Sequence, residues 1–405
     1  MTIHVVGGVY REYCVHPRWN QVYGSAGRAA MAIARMGSLV KLHSYLDPDI
    51  LDIFNGEVVW QSTLSVLPTT VSGVVRFDYL HDMATPRISG CPEAQHAAIE
   101  LAEEQVIRFG MMEGNAVVHA EWAVYDPQNK DSAEPFGQNG STATHLALVL
   151  NSWEAATMAG MPDQPPSVTA PVIAKAQGAE VVIVKMGPEG AFVWTAQGTS
   201  QVPAYRTHNV WKLGSGDCFV AHFALGWMHD RLTPTDAAQA ASLATAFYCA
   251  DQRLPTRDDL ANCTLPPIAV SRNFASGQRP KVYLAAPFFD LGQVWMVEQA
   301  QATLKTLGFT VFSPYHDIGL GPAGDVVEKD LQGIRDSDML FAIADGLDAG
   351  TIYEIGYARA IGKPVVVYSE RQTDENLKMM HGSDCVICTN YTTAMYSALW
   401  EAAKL

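Results

Sequence analysis

The stretch Met339–Ser369, MLFAIADGLDAGTIYEIGYARAIGKPVVVYS, reads as one complete unit of an α/β fold. The run MLFAIA is short and continuously apolar, which suits a strand buried on both faces of a parallel sheet. DGLDAG is a turn, TIYEIGYARAIG spaces its apolar residues as a helix does, and PVVVYS returns as a second buried strand. Upstream the same grammar holds, with VYLAAP and FTVFSP as strands and VEQAQATLKTLG and EKDLQGIRDSD as helices. This alternation predicts an α/β domain with a parallel sheet.

Further upstream, SRNFASGQRP (Ser271–Pro280) is polar, holds Gly and Pro, and has no apolar period, which marks a boundary. Before it, VVHAEWAVYD, LALVLNSWEAATMAG, AEVVIVKMGPEGAFVW and an Ala-rich segment from about Phe219 to Ala250 again alternate strand with helix. The expected organisation is a first domain over 1–270, a linker over 271–280 and a second domain over 281–405.

The 405 residues are 48% hydrophobic and 17% charged, with 9 Trp and 15 Tyr, a composition that builds large cores and not disorder. A formal charge of −15 argues against nucleic acid and anionic membrane as partners and leaves small molecules. MTIHVVGGVY reads as a strand entering a Gly turn and not as a signal peptide, and no stretch holds eighteen uninterrupted apolar residues. Seven Cys, an odd number, fit a reducing compartment, so the expected location is cytoplasmic. Cys385 and Cys388 form a lone C-x-x-C around Val386-Ile387, read as core packing and not as a metal or redox site.

Acidic residues gather where an α/β sheet binds ligands, beyond the carboxyl ends of its strands. Asp345 and Asp348 follow the strand MLFAIA, Glu354 falls in or just past the first turn of the next helix, and Asp330 lies in the helix before. Cleaving an N-glycosidic bond needs one carboxylate at the anomeric carbon and an acidic partner for the leaving base. Acids near helix starts also complement the macrodipole, so the residues alone leave both roles open.

YLAAPFF from Tyr283, DLQGIRDSD from Asp330 and DGLDAGTIYEIGYARAIGKPVV from Asp345 resemble the nucleoside deoxyribosyltransferase family over nearly all of the last 125 or so residues. The resemblance implies Glu354 as a nucleophile forming a covalent glycosyl intermediate. It implies that Asp348 binds the sugar hydroxyl end, that Asp330 holds and helps protonate the base, and that Tyr283 orients the nucleophile. It also implies a homo-oligomer in which Asn376 completes a neighbouring site, with a solvated loop residue as the alternative for Asn376 and a core aromatic for Tyr283. Relatives acting on monophosphates carry a phosphate loop where this chain has Ala285–Phe289, so unphosphorylated nucleosides are expected, with His316 and Arg335 as the remaining phosphate partners.

LGSGDCFVAHFALGWM places Gly214, Ser215, Gly216 and Asp217 directly before an apolar helix, a natural anion site whose Asp is either a base or a helix cap. This segment, with NSWEAATMAG, KMGPEGAFV and YGSAGRAAMAIARMG, resembles the ribokinase-like (PfkB-type) sugar and nucleoside kinases over roughly the first 270 residues. The resemblance implies Asp217 as catalytic base, Gly214–Gly216 as anion hole, and Asn151, Glu154 and Gly187 along the nucleotide and metal site, with ATP and Mg2+ required if the kinase is active. Trp211-Lys212-Leu213 replace the usual residues before the motif, and GGVYREYC lacks the usual sugar-binding Asp, with Glu12 the nearest acid. A degenerate kinase serving as ligand sensor, paired with a nucleoside or nucleotide N-glycosidase, is the alternative. The expected fold is therefore a ribokinase-like α/β domain followed by a smaller Rossmann-like, flavodoxin-like parallel-sheet domain. The expected function is cleavage or transfer of the N-glycosidic bond of nucleosides, with nucleosides, nucleobases or sugars as partners and no cofactor for glycosyl transfer.

Overall fold

A computed structural model describes residues 1–128 and 133–405 and divides the chain into two compact units. The first comprises Met1–Thr207 and Trp211–Pro267, the second His208–Val210 and Ile268–Leu405. Among the described residues no helix is long and apolar enough to cross a membrane.

The first unit is built on a nine-stranded sheet. From Val181–Lys185 through Thr142–Asn151, Ala116–Asp126, Ile99–Phe109, Ile3–Val6 and Val40–Leu46 to Leu64–Thr70, every neighbouring pair is parallel. Ala191–Thr195 and Gly198–Val202 extend the other edge as an antiparallel hairpin. Central strands such as IHVV are buried along their whole length, because helices cover both faces of a parallel sheet. The helix Gly24–Arg35, rich in Ala and Gly, and the helix Ser215–Ala224 contribute to one hydrophobic core with these strands. A second sheet of four strands, ordered Trp19–Val22, Arg11–His16, Arg76–His81 and Arg87–Ser89, was not anticipated from the sequence. Its members mix polar and apolar residues without a clean period, so each acquires a face only on pairing.

The second unit carries five parallel strands in the order Thr310–Phe312, Lys281–Ala285, Met339–Ile343, Val365–Tyr368 and Val386–Cys388. Numbered along the chain this order is 2-1-3-4-5, the flavodoxin-like arrangement, whose crevice opens between the first and third strands. Residues 271–280, read as a linker, include a short helix, Arg272–Ala275, with Phe274 buried and the Ser271 amide donating to the Ala403 carbonyl at 2.7 Å. Cys385 and Cys388 are both buried and unbridged.

Phe341, fully buried in the central strand of the second unit, is predicted to cost about 3–5 kcal/mol when cut to Ala, from lost transfer energy and the cavity left behind. Urea unfolding followed by far-UV circular dichroism checks this.

Candidate active sites

In the second unit the strand-order reversal places Tyr283, on strand Lys281–Ala285, beside the crevice that helix Ala349–Ala360 enters from the next strand. Asp348 is the N-cap of that helix: its Oδ2 accepts from the Thr351 amide at 2.9 Å and from the Thr351 hydroxyl at 3.1 Å. Glu354 therefore sits in the second turn. The Tyr283 hydroxyl donates to Glu354 Oε1 at 2.6 Å, and the Tyr283 ring stacks on Phe312 with centroids 5.5 Å apart.

Burial pushes the Glu354 carboxyl up to about 7; the Tyr283 bond opposes this, and the nearby Asp330 and Asp348 charges add to it. Asp330, on helix Ala323–Arg335, is likewise raised by burial, and its Oδ1 is buried without a hydrogen-bond partner. Three carboxylates and one hydroxyl thus converge, one carboxyl near neutral and one buried oxygen unsatisfied. Such a set can attack an electron-poor carbon and move a proton nearby.

Other acids and cations here are structural. Asp345 accepts from the Ser369 hydroxyl at 2.9 Å and from the Glu370 and Arg371 amides at 3.1 Å each, clamping one loop to another. His316 is held by Ser313 at 3.0 Å and Glu298 at 3.1 Å, and Arg335 by Glu328, Tyr357 and Gln332. Asn376, in the first turn of helix Asp374–Gly382, is exposed and donates to Gln372 at 2.9 Å, away from this cluster's hydrogen bonds.

In the first unit the helix Ser215–Ala224 starts from Gly214 in the left-handed conformation, φ +76°, with Ser215 and Gly216 opening its first turn. Asp217 follows, but its carboxylate is already engaged: Oδ2 accepts from Arg28 at 2.7 Å and Oδ1 from Gln128 at 2.9 Å. Arg28 also pairs with Glu12, which accepts in addition from the Gly24 amide at 3.2 Å. These residues, with Tyr10, Ser25, Phe77 and Tyr79, line a cavity of about 180 Å³.

Gln128 also donates to Asp126 Oδ2 at 3.2 Å, and Lys185 pairs with that oxygen at 2.6 Å. Asn151 and Glu154 form a reciprocal capping box at the start of helix Ser152–Ala159. Burial raises the Glu154 carboxyl to about 7, the Asp126 charge adds to the shift, and Lys185 opposes it. Gly187 opens the short turn between Val181–Lys185 and Ala191–Thr195 with φ +58°. Trp211 is a core residue, 1% exposed, and Lys212 is positioned through its amide, which donates to Asp82 at 2.8 Å.

Sequence reading missed Arg28, Gln128, Asp126 and Lys185. Arg28 had a visible signal, one cation inside the small-residue helix GSAGRAAMAIAR, where a charge has to find buried partners. The others carry no pattern until the strands align.

For an acid whose folded-state pKa lies above its unfolded value, stability is greatest below the unfolded value and falls as pH rises through the folded one. With Glu354 raised from 4.5 to about 7, Glu354→Gln is predicted to gain stability relative to the wild type between pH 5 and pH 8. Thermal unfolding of both proteins across that range checks the sign; a constant gap would refute it.

Comparison with known proteins finds a family match within each region. The pfkB carbohydrate kinase family matches residues 124–253, and the nucleoside 2-deoxyribosyltransferase family matches residues 282–390. A 5-dehydro-2-deoxygluconokinase from Listeria monocytogenes serovar 1/2a is 26% identical over 196 residues, covering 45% of this chain and 57% of the relative. The same-named protein of serotype 4a is 31% identical over 86 residues, 20% of this chain and 26% of the relative. The chain thus spans little more than half of the first of these relatives and about a quarter of the second. Among solved structures, a fructokinase from Vibrio cholerae O395 bound to fructose, ADP and calcium aligns with a TM-score of 0.51 at 16% identity, covering 65% of this chain and 98% of the fructokinase, a likeness of fold alone. The chain therefore carries a pfkB-type, ribokinase-like kinase region followed by a nucleoside 2-deoxyribosyltransferase-like region.

Proposed function

We propose that the second region, 281–405, cleaves or transfers the N-glycosidic bond of unphosphorylated nucleosides through a covalent intermediate on Glu354. The observation that carries this is the 2.6 Å bond from the Tyr283 hydroxyl to Glu354 Oε1, which leaves Oε2 as the attacking atom. Glu354 bonds to the anomeric carbon as the bond to the base nitrogen breaks, and the departing electron pair goes to that nitrogen. Asp330, whose burial favours its protonated form, supplies the proton to the leaving base. Asp348 spends Oδ2 on its helix and offers Oδ1 to a sugar hydroxyl. A second base or water then attacks the same carbon, its proton passes to the Asp330 carboxylate, and the bond to Glu354 breaks with its electron pair returning to the carboxylate. Asn376, exposed at a helix start, completes the site of a neighbouring copy in a homo-oligomer.

For the first region, 1–270, joined through 271–280, we propose that the cavity beside Arg28 holds a sugar or nucleoside. Asp126, with Oδ1 buried and unpartnered, and Glu154, with its raised carboxyl, fit a divalent cation carried by ATP and would face it if this region is a kinase. The Arg28–Asp217 pair favours the second reading, a ligand sensor on a kinase frame.

Incubation with a 2′-deoxynucleoside and a second free base is predicted to yield the exchanged nucleoside or the free base. Glu354→Ala should lower that rate at least a thousandfold, and Tyr283→Phe by about tenfold to a hundredfold, the range of a lost positioning bond. Chromatography that finds no exchange and no free base, or an unchanged rate in Glu354→Ala, would overturn the reading.

A further inference from the structure

The carboxylate of Asp217 lies in the first turn of its helix, a favourable place for an anion, yet both of its oxygens accept hydrogen bonds from side chains. Arg28, 1% exposed, is clamped between Asp217 and Glu12, themselves 6% and 5% exposed. Gly214 makes room for it: a Cβ there would stand 2.1 Å from Arg28 Nε. We propose that Arg28 turns this cavity into a site that binds a single uncharged sugar ring without phosphorylating it, which deepens the sugar-handling reading of the first region.

Transfer of a phosphoryl group to a hydroxyl forms an oxygen–phosphorus bond to the acceptor and breaks one to the leaving nucleotide, and the acceptor's proton goes to a base. Here Oδ2 of Asp217 is held by Arg28 at 2.7 Å and Oδ1 by Gln128 at 2.9 Å, so both oxygens are engaged before an acceptor hydroxyl arrives. These contacts hold Asp217 as a fixed hydrogen-bond partner for ligand hydroxyls and not as the group that receives the proton. Arg28 is a positioning residue in this sense.

Size and charge identify the ligand. A cavity of about 150 Å³ accommodates a benzene ring, so 180 Å³ suits one sugar ring. Tyr10, Phe77 and Tyr79 supply ring faces, and Ser25, Gln128 and the carboxylates supply hydroxyl partners. Glu12, Arg28 and Asp217 together carry a charge of −1, which repels a phosphate ester.

The test uses the full chain, whose second region has no N-glycosidic bond to act on in these probes. Calorimetry is run with D-ribose, 2-deoxy-D-ribose and D-fructose and with their phosphate esters, and sugar phosphorylation is followed with ATP and Mg2+. At least one free sugar is expected to bind, with its ester at least tenfold weaker, and phosphorylation should be no faster than in Asp217→Asn. The double variant Glu12→Gln/Arg28→Asn leaves Asp217 as the one charge of the three and should gain Asp217-dependent phosphorylation at least tenfold. If that variant fails to fold, the comparison with Asp217→Asn decides alone. Phosphorylation that Asp217→Asn lowers a hundredfold, equal affinity for sugar and ester, or a folded double variant without gain each overturns the role of Arg28 while sparing the sugar-handling reading. Binding of none of the sugars overturns both, and base exchange through Glu354, measured in the wild type, is unaffected by any of these results.

Discussion

The reversal of strand order in the five-stranded sheet is the constraint on which the second region's cluster of acids depends. Because Lys281–Ala285 lies beside Met339–Ile343, the helices after these strands leave a crevice at their carboxyl ends. Tyr283 and Glu354, 71 residues apart in the chain, meet there at 2.6 Å. The hydroxyl then does two things at once. It fixes one oxygen of the carboxylate, and it offsets part of the burial that pushes the acid up to about 7. Because Tyr283 sits on a strand and Glu354 on a helix, regular secondary structure and not a loop sets their separation.

The first region uses burial differently. Glu12, Arg28, Asp217, Gln128, Asp126 and Lys185 form one continuous chain of ion pairs and hydrogen bonds beneath the cavity. In a low-dielectric interior such a chain is favourable when its members are satisfied and costly when one is removed. Its two cations, Arg28 and Lys185, stand against the carboxylates of Glu12, Asp217 and Asp126.

Much of this was legible in the sequence. Continuous apolar runs broken by Gly turns and helical spacing identified both α/β regions, since strands covered on both faces must be apolar throughout. Short motifs located Glu354, Asp348, Asp330 and the Gly214–Asp217 turn, because a helix start beyond a strand end has a local signature. The four-stranded sheet was not legible, since its strands take a face only from their partners.

Local pattern by itself determined the class of fold, the order of the two regions and the positions of their acids. Tertiary structure decided what each acid is. Asp345 became a loop clamp and Asp348 a cap that keeps one oxygen spare, whereas Glu354 became a buried carboxyl with a donor. Asp217 became half of an ion pair with an arginine 189 residues away. The physical reason is that charge state and reactivity depend on burial and on partners within a few ångströms, and neither is encoded in the spacing of residues along the chain.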